Sequence, residues 1–299
     1  LEKRHAKSTF APFMKRVGID IGGTKIECVI LDGDGHVMAR ERVPTERDNG
    51  YKHILGQISK LYNKLSDQLS DEFLFGVCVP GPLTADGDRL KHGNTQALVG
   101  EPLKDDIESI FGTTPVLDND ANCFAQAEAS LGAGKDFKVV FGVILGTGVG
   151  GGISIDGHAY HGRQFIAGEW GHSLLYPGGK PCYCGKSGCV EQYISGPALE
   201  KRYNEMTGET GLVTDIAQNP PDEWKEEFLD NFGMAISNII NILDPHIIVL
   251  GGGVSKVNFL YTEGPQYVRR YCFDDNITTP IVKNTMGDSA GVFGAAYLP

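Results

Sequence analysis

From Val17 onward, apolar residues come in short runs divided by turns that carry glycine. Val17-Gly18-Ile19-Asp20-Ile21 is extended, Gly22-Gly23-Thr24 turns the chain, and residues 26–31 extend it again. Asp32-Gly33-Asp34-Gly35 has the residues of a tight hairpin and leads into 36–43, so the chain opens with three antiparallel strands. The period then changes. Ile54, Ile58, Leu61, Leu65 and Leu69 recur at helical spacing on one face, with Lys60, Lys64 and Asp67 on the other. Residues 75–79 predict a buried strand ending at Pro80-Gly81-Pro82, 103–111 a helix, 116–118 a strand, and 121–131 a second helix.

The opening pattern then recurs. Residues 139–145 read as a strand, Gly146 through Gly152 as a glycine turn, 152–155 as a returning strand, and Asp156-Gly157 as another hairpin turn. One supersecondary unit near residue 20 is thus echoed near residue 146, which predicts two similar lobes with a cleft between them. Further helices are expected over 198–206 and 222–243, the latter with Trp224, Phe228 and Phe232 on one stripe. Residues 246–250 read as a buried strand before Gly251-Gly252-Gly253, and 289–297 as a short Ala-rich helix. The fold class is therefore α/β.

Composition narrows the function. A chain of 299 residues with 41% hydrophobic and 22% charged positions is an ordinary globular protein large enough for two cores. Its net charge of −11 supplies no basic surplus for nucleic acid or an anionic membrane. The most apolar stretch, 139–155, is broken by Thr147 and six glycines, so no bilayer span is expected. Residues 1–13 read as an expression remnant rather than a secretory signal, with Met14 as the native start. Of seven cysteines, Cys28, Cys78, Cys123 and Cys272 are scattered in apolar contexts, as expected of reduced core residues in a cytoplasmic protein.

Three features carry chemistry. The first is the set of glycine turns. Asp20 followed by Gly22-Gly23-Thr24-Lys25 would let a phosphate approach backbone N–H groups, although a hairpin needing positive φ would use the same residues. The turn from Gly146 to Gly152 holds five glycines in seven residues, which costs more backbone entropy than a hairpin requires. Gly146, Gly148 and Gly151 fit a dinucleotide pattern, but the strand-like residues after them stand where that pattern needs a helix. Gly185-Lys186-Ser187 resembles the end of a Walker loop, but Lys180 stands where its first glycine should be. Two glycine hairpins on duplicated lobes, with Gly251-Gly252-Gly253 after a strand, suit an actin-like ATP clamp in which Asp20 orients Mg²⁺ through water.

The second is Asp118-Asn119-Asp120-Ala121-Asn122, at a strand-to-helix junction. One of these polar residues is expected to cap the helix, and capping needs only one. A carboxylate here would accept a proton from an attacking hydroxyl. The third is His172 with Cys182, Cys184 and Cys189, a tetrahedral donor set for structural zinc, with free thiols or a C-x-C redox pair as alternatives. Turns at Gly185 and Gly188 suit such knuckles. A loop tied this way would hold Glu169 and Glu191 as buried carboxylates that read sugar hydroxyls.

Together these motifs resemble the ROK family (repressor, open reading frame, kinase). The resemblance rests on Asp20-Ile21-Gly22-Gly23-Thr24-Lys25, Asn119-Asp120-Ala121-Asn122, Leu145-Gly146-Thr147-Gly148-Val149-Gly150-Gly151-Gly152, Gly168-Glu169-Trp170-Gly171-His172, the segment from Cys182 to Glu191, and Leu250-Gly251-Gly252-Gly253. It implies an actin-like, ribonuclease-H-like fold of two lobes, ATP and Mg²⁺ as cofactors, structural Zn²⁺, and transfer of the γ-phosphate to a hexose 6-hydroxyl. Asp120 resembles the family's catalytic base. Gly81, Asn94, Asn119, Glu169, His172 and Glu191 resemble its sugar ligands, and His172, Cys182, Cys184 and Cys189 its zinc ligands. Asp20, Gly22, Gly23, Thr24, Lys25, Gly146, Thr147, Gly148, Gly251, Gly252 and Gly253 resemble its nucleotide site.

The resemblance also implies an N-terminal lobe over 14–121, a C-terminal lobe over 122–287 with its zinc loop at 168–191, and a final helix, 288–299, packed back on the first lobe. A homodimer is the family expectation. The loop from Asn94 to Gly100 looks closer to the fructose and mannose kinase branch, so fructose, mannose or glucose is the favoured acceptor and N-acetylglucosamine the alternative. The short segment between His172 and Cys182 departs from many N-acetylglucosamine kinases. A sugar-responsive transcriptional regulator would carry a helix-turn-helix domain before the first strand, and a silent sugar-binding module would not need Asp120 and both glycine turns. The kinase is the expected class.

Overall fold

The computed structural model describes residues 14–69, 72–93 and 95–299, so the remnant expected over 1–13 lies outside the described residues. The first half contains β1 (Lys15–Ile21), β2 (Lys25–Leu31), β3 (Val37–Pro44), α1 (Tyr51–Leu65), β4 (Phe73–Val79), α2 (Leu103–Phe111), β5 (Val116–Asn119) and α3 (Asp120–Ser130). The second contains β6 (Val139–Leu145), β7 (Val149–Ile155), β8 (His158–Ala159), α4 (Glu191–Ile194), α5 (Gly196–Thr207), α6 (Val213–Ile216) and α7 (Asp222–Leu243). It ends with β9 (Ile247–Gly251), α8 (Phe259–Thr262), α9 (Gly264–Tyr271), β10 (Ile281–Lys283) and α10 (Ala290–Ala296).

The strands form two five-stranded sheets, ordered β3-β2-β1-β4-β5 and β10-β9-β6-β7-β8. Reversed, the second order repeats the first. β1, β2 and β3 form an antiparallel meander, and β4 and β5 follow in parallel on the other side of β1. β6, β7 and β8 repeat the meander, with β9 and β10 as the parallel pair. The glycine-turn echo is therefore a duplicated topology, that of the actin-like ATPase fold. α4, α6, α8 and α9 and the two-residue β8 lack a sequence period long enough to predict them.

Each sheet has its own core. Ile54, Ile58, Leu61 and Leu65 of α1 and Leu103, Ile107 and Phe111 of α2 pack on Ile19, Phe75 and Val77. In the second lobe Trp224, Phe228, Phe232 and Ile236 of α7 form the equivalent layer against Val143, Ile248 and Leu250. β3, at an edge, alternates exposed and half-buried positions, as a strand with one solvated face should.

The opposite faces are covered by α10 and α3, both rich in small residues. α10 lies on β1 and β4 where Gly18 and Gly76 leave no side chain. A Cβ at either position would overlap the backbone carbonyl of Val292 or Ala295. α3 lies on β6 and β7 at Gly142 and Gly152, where a Cβ would strike Ala125 or the Ala121 carbonyl. The two helices touch at Gly294, which faces the backbone of Cys123. Glu128, fully buried on α3, anchors the chain entering α10 by accepting the N–H groups of Thr285 and Met286, each at 2.9 Å.

The glycine turn proves shorter than its composition suggests. Only residues 146–148 turn, and Gly150, Gly151 and Gly152 belong to β7. Their faces alternate. Gly150 and Gly152 face α3, whereas Gly151 lies beneath the Trp170 indole and the Gly168 carbonyl. These glycines admit close neighbours on both faces of one strand, a packing role that a glycine count alone cannot distinguish from a loop.

Replacing Gly76 by Ala should force α10 off the first sheet and cost about 1–3 kcal/mol. By contrast Gly56→Ala, in α1 with open space around it, should stabilise by up to about 1 kcal/mol. Urea midpoints of the two variants should move in opposite directions from wild type.

Candidate active site

Each glycine turn lies at a strand end. The first turn, at the end of β1, is propped by Thr45, whose Oγ1 donates to the Gly22 carbonyl at 2.6 Å and whose N–H donates to the Thr24 carbonyl at 3.0 Å. β6 and β9 run parallel, Ile144 beside Gly251, so the turns 146–148 and 251–253 are adjacent. Gly252, at φ 84°, lies against the Leu145 backbone, and Gly146 and Gly253 face open space. The Gly146 carbonyl accepts the Gly196 N–H at 2.8 Å, buttressing the second turn from α5.

Positive φ does not explain the first two turns. None of Gly22, Gly23, Gly146 and Gly148 is left-handed. Gly148 is instead required by Glu191, whose Oε2 would lie 2.7 Å from a Cβ there and accepts the Val149 N–H at 2.9 Å. Lys25 turns toward the buried Glu27 at 3.3 Å, a carboxylate also engaged by Arg40 and Arg42. Burial opposes ionisation of Glu27, but hydrogen bonds from Arg42, Arg40 and Lys25 hold its carboxyl below the usual range.

At the junction of β5 and α3, Asn119 caps the helix by accepting the Asn122 N–H at 2.8 Å, the role expected of one residue in this cluster. Asp120 follows in the first turn, and its Oδ1 accepts the Ala121 N–H at 3.0 Å. Its carboxyl is open to solvent but recessed among protein atoms. That burial raises it above the usual carboxylate range, with the charge of Asp118 adding to the rise against the backbone N–H bonds. Asp20 is pushed up to about 6, first by burial and also by Asp120, against a hydrogen bond from Cys78. These two crowded carboxyls suit a site that receives a divalent cation.

The segment 168–172 rests on the glycines of β7. Trp170 donates its Nε1–H to the Gly150 carbonyl at 2.9 Å. Glu191 is a buried carboxylate as expected, but Glu169 is exposed, which corrects the expectation of a buried pair. Neighbouring protein still raises the Glu169 carboxyl, with Asp120 and Glu191 adding to the rise against His172. Asp120 and Glu191 are thus both near enough to Glu169 for their charges to act on it. Gly81, at φ 150°, is pressed against the His92 carbonyl, and Asn94 lies outside the described residues.

His172, Cys182, Cys184 and Cys189 converge, with all four donor atoms within 4.8 Å of one another. Cys184 Sγ lies 3.6 Å from Cys189 Sγ, and Cys182 Sγ lies 3.6 Å from His172 Nδ1. A tetrahedral zinc with thiolate bonds of about 2.3 Å requires such spacings. Gly185 and Gly188, at φ 85° and 82°, form the left-handed corners of the knuckle. His172 Nε2 points away from the cluster and lies 3.1 Å from the Tyr183 hydroxyl.

Asp118 and His161 form a pair that the sequence reading missed. Asp118, 1% exposed, accepts from His161 Nε2 at 2.6 Å. That hydrogen bond raises the imidazole above its usual range, against burial. The partners lie 43 residues apart, and no motif joins them.

The sequence profile of the ROK family matches residues 16–299. An N-acetyl-D-glucosamine kinase of Vibrio atlanticus (strain LGP32) is 36% identical over 297 residues, covering 94% of this chain and 98% of that protein. Among solved structures, the ROK hexokinase of Thermus thermophilus matches with a TM-score of 0.85 at 28% identity, covering 95% of this chain and 97% of that one. A ROK family glucokinase from Streptomyces griseus, in complex with glucose and AMPPNP, matches with a TM-score of 0.76 at 28% identity, covering 95% and 98%. The chain belongs to the ROK family and is a sugar kinase. The fructose and mannose preference read from the loop 94–100 finds no support among these relatives, which favour the N-acetylglucosamine alternative.

Protein purified under reducing conditions should carry about one zinc per chain by elemental analysis, as a closed four-ligand site requires. Cys184→Ser should lose the metal and lower the melting temperature. Metal-free wild-type protein that melts at the same temperature as the zinc-loaded form would contradict the structural role.

Proposed function

We propose that this protein transfers the γ-phosphoryl group of ATP to the 6-hydroxyl of N-acetyl-D-glucosamine. The observation that carries the reading is Asp120, a recessed carboxyl whose neighbours are Asp20, beside the first glycine turn, and Glu169, beside Glu191 and His172. Such a group is placed to accept a proton from a hydroxyl held on one side as it attacks a phosphoryl group held on the other. The N-acetyl-D-glucosamine kinases, matching end to end at 35–37% identity, support the choice of sugar.

Each half of the site has its task. The Gly22 and Gly146 N–H groups are spent within their own turns, each at 2.9 Å, and those of 23–24, 147–148 and 252–253 receive the triphosphate, which explains how a chain of net charge −11 binds a polyanion. Asp20 is the carboxylate suited to hold Mg²⁺, which when bound neutralises phosphate charge. Asn119 spends its Oδ1 on the helix cap and keeps Nδ2 for a sugar hydroxyl. Glu169 and Glu191 accept sugar hydroxyls, and His172 offers Nε2. Alignment of the hydroxyl with the γ-phosphate then supplies most of the rate. All described cysteines are free, as suits a reducing cytoplasm where this chemistry is proposed to occur.

A panel of free sugars in a coupled ADP-release assay tests the reading. N-acetyl-D-glucosamine should have the highest kcat/KM, and fructose or mannose in that place would overturn the substrate. Asp120→Ala should lower kcat by at least about 10²-fold, as loss of a general base does, while calorimetry still detects sugar binding. A kcat within tenfold of wild type would remove Asp120 from the role.

A further inference from the structure

We propose that His161, Asp118 and Phe165 form a latch that holds the loop bearing Glu169 in register with the strand end bearing Asn119 and Asp120. The latch rests on the proposed kinase site and names the residues that position it. Asp118 is the next-to-last residue of β5 and is 1% exposed, where an unpaired carboxylate would be strongly unfavourable. Its Oδ1 accepts the Asn119 N–H and the Asn122 Nδ2–H, both at 2.8 Å, and so fixes the corner from which Asp120 projects. The remaining oxygen is satisfied from the other lobe, by His161 at 2.6 Å.

Phe165 completes the device. Its ring stacks on His161 with centroids 4.8 Å apart and planes 23° from parallel. It also packs on the apolar core of the first lobe. It reaches Gly87, where a Cβ would fall 2.9 Å from the ring, so that position admits no side chain. Phe165 does this at φ 55°, a conformation unfavourable for an aromatic residue and kept only where surrounding contacts impose it. At its far end the same loop is fixed to β7 by the Trp170 indole. Glu169 thus stands between two anchors, one on each lobe, and the spacing between the proposed sugar carboxylates and the proposed base is set by both. His161 acts through Asp118 and Phe165 and is a positioning residue.

The test uses the full-length protein, N-acetyl-D-glucosamine and ATP. His161→Ala should lower kcat by about 10–100-fold, the scale of a 1 Å misplacement, and raise the sugar KM. The KM for ATP should stay within about twofold, because the glycine turns are untouched, and His161→Gln, which keeps an N–H for Asp118, should restore most of the loss. Hydrogen exchange of amides 160–168 should quicken in His161→Ala but not in the strands at 139–145 and 247–251. If His161→Ala does not fold, Phe165→Ala is read in the same assays with the same expectations. A folded variant whose kcat, sugar KM and loop exchange match wild type overturns the latch. So does a loss shared by kcat and the KM for ATP that Gln leaves unrestored, the mark of general destabilisation. Wild type that phosphorylates no sugar would overturn the proposed function instead, and the exchange comparison would still decide the latch.

Discussion

Backbone-to-backbone approach, made possible by missing side chains, is the constraint on which the structure depends. α10 approaches the first sheet over Gly18 and Gly76, and α3 approaches the second over Gly142, Gly150 and Gly152. Those two helices touch each other, so the same glycines determine how the two cores are joined. The requirement continues into the site. Gly151 admits the Trp170 ring and the Gly168 carbonyl, and Gly171 faces the Val149 backbone, so the segment carrying Glu169 and His172 rests directly on β7. Side chains at these positions would separate the proposed sugar residues from the turns proposed for ATP.

A second consequence is electrostatic. The proposed site gathers Asp20, Asp118, Asp120, Glu169 and Glu191, and burial first, with mutual repulsion adding to it, raises Asp20, Asp120 and Glu169 above their usual ranges. A triphosphate could not enter such a field by charge attraction alone. In the proposed function, backbone amides of the glycine turns such as those of Gly23, Thr24, Thr147 and Gly148, with a divalent cation, offset the repulsion without lysines, and Lys25 itself is committed to Glu27. Two of the carboxylates are held by hydrogen bonds, although their charges still act on Asp120 and Glu169. Asp118 is satisfied by His161 and its own corner, and Glu191 by the Val149 N–H.

Much of this was legible in the sequence, for physical reasons. Alternation and helical period located the first meander, the first two strands of the second, α1, α2, α7 and the strand before Gly251, because one face of each is buried in a lobe core. The repeated strand, turn and strand unit announced the duplicated sheets. The metal cluster was legible because its cysteines lie close in sequence and its turns need glycine. Other features depend on distant partners. Five glycines in seven residues looked like a loop, because nothing local shows that Trp170 and α3 will press on β7 from opposite sides. Glu169 looked buried beside Trp170, yet Trp170 turns inward and leaves Glu169 exposed. The bond between Asp118 and His161 joins residues from different lobes and leaves no mark in either segment.

The central claim is that the acceptor hydroxyl sits between Asp120 and a phosphate held by the glycine turns. A crystal structure with N-acetyl-D-glucosamine and a non-transferable ATP analogue measures this directly. The expected result is the sugar 6-hydroxyl within about 3 Å of an Asp120 carboxylate oxygen, with the γ-phosphate in line and within reach of the Gly23 and Thr24 amides. A sugar bound with another hydroxyl facing Asp120, or a nucleotide bound away from the three glycine turns, would contradict it.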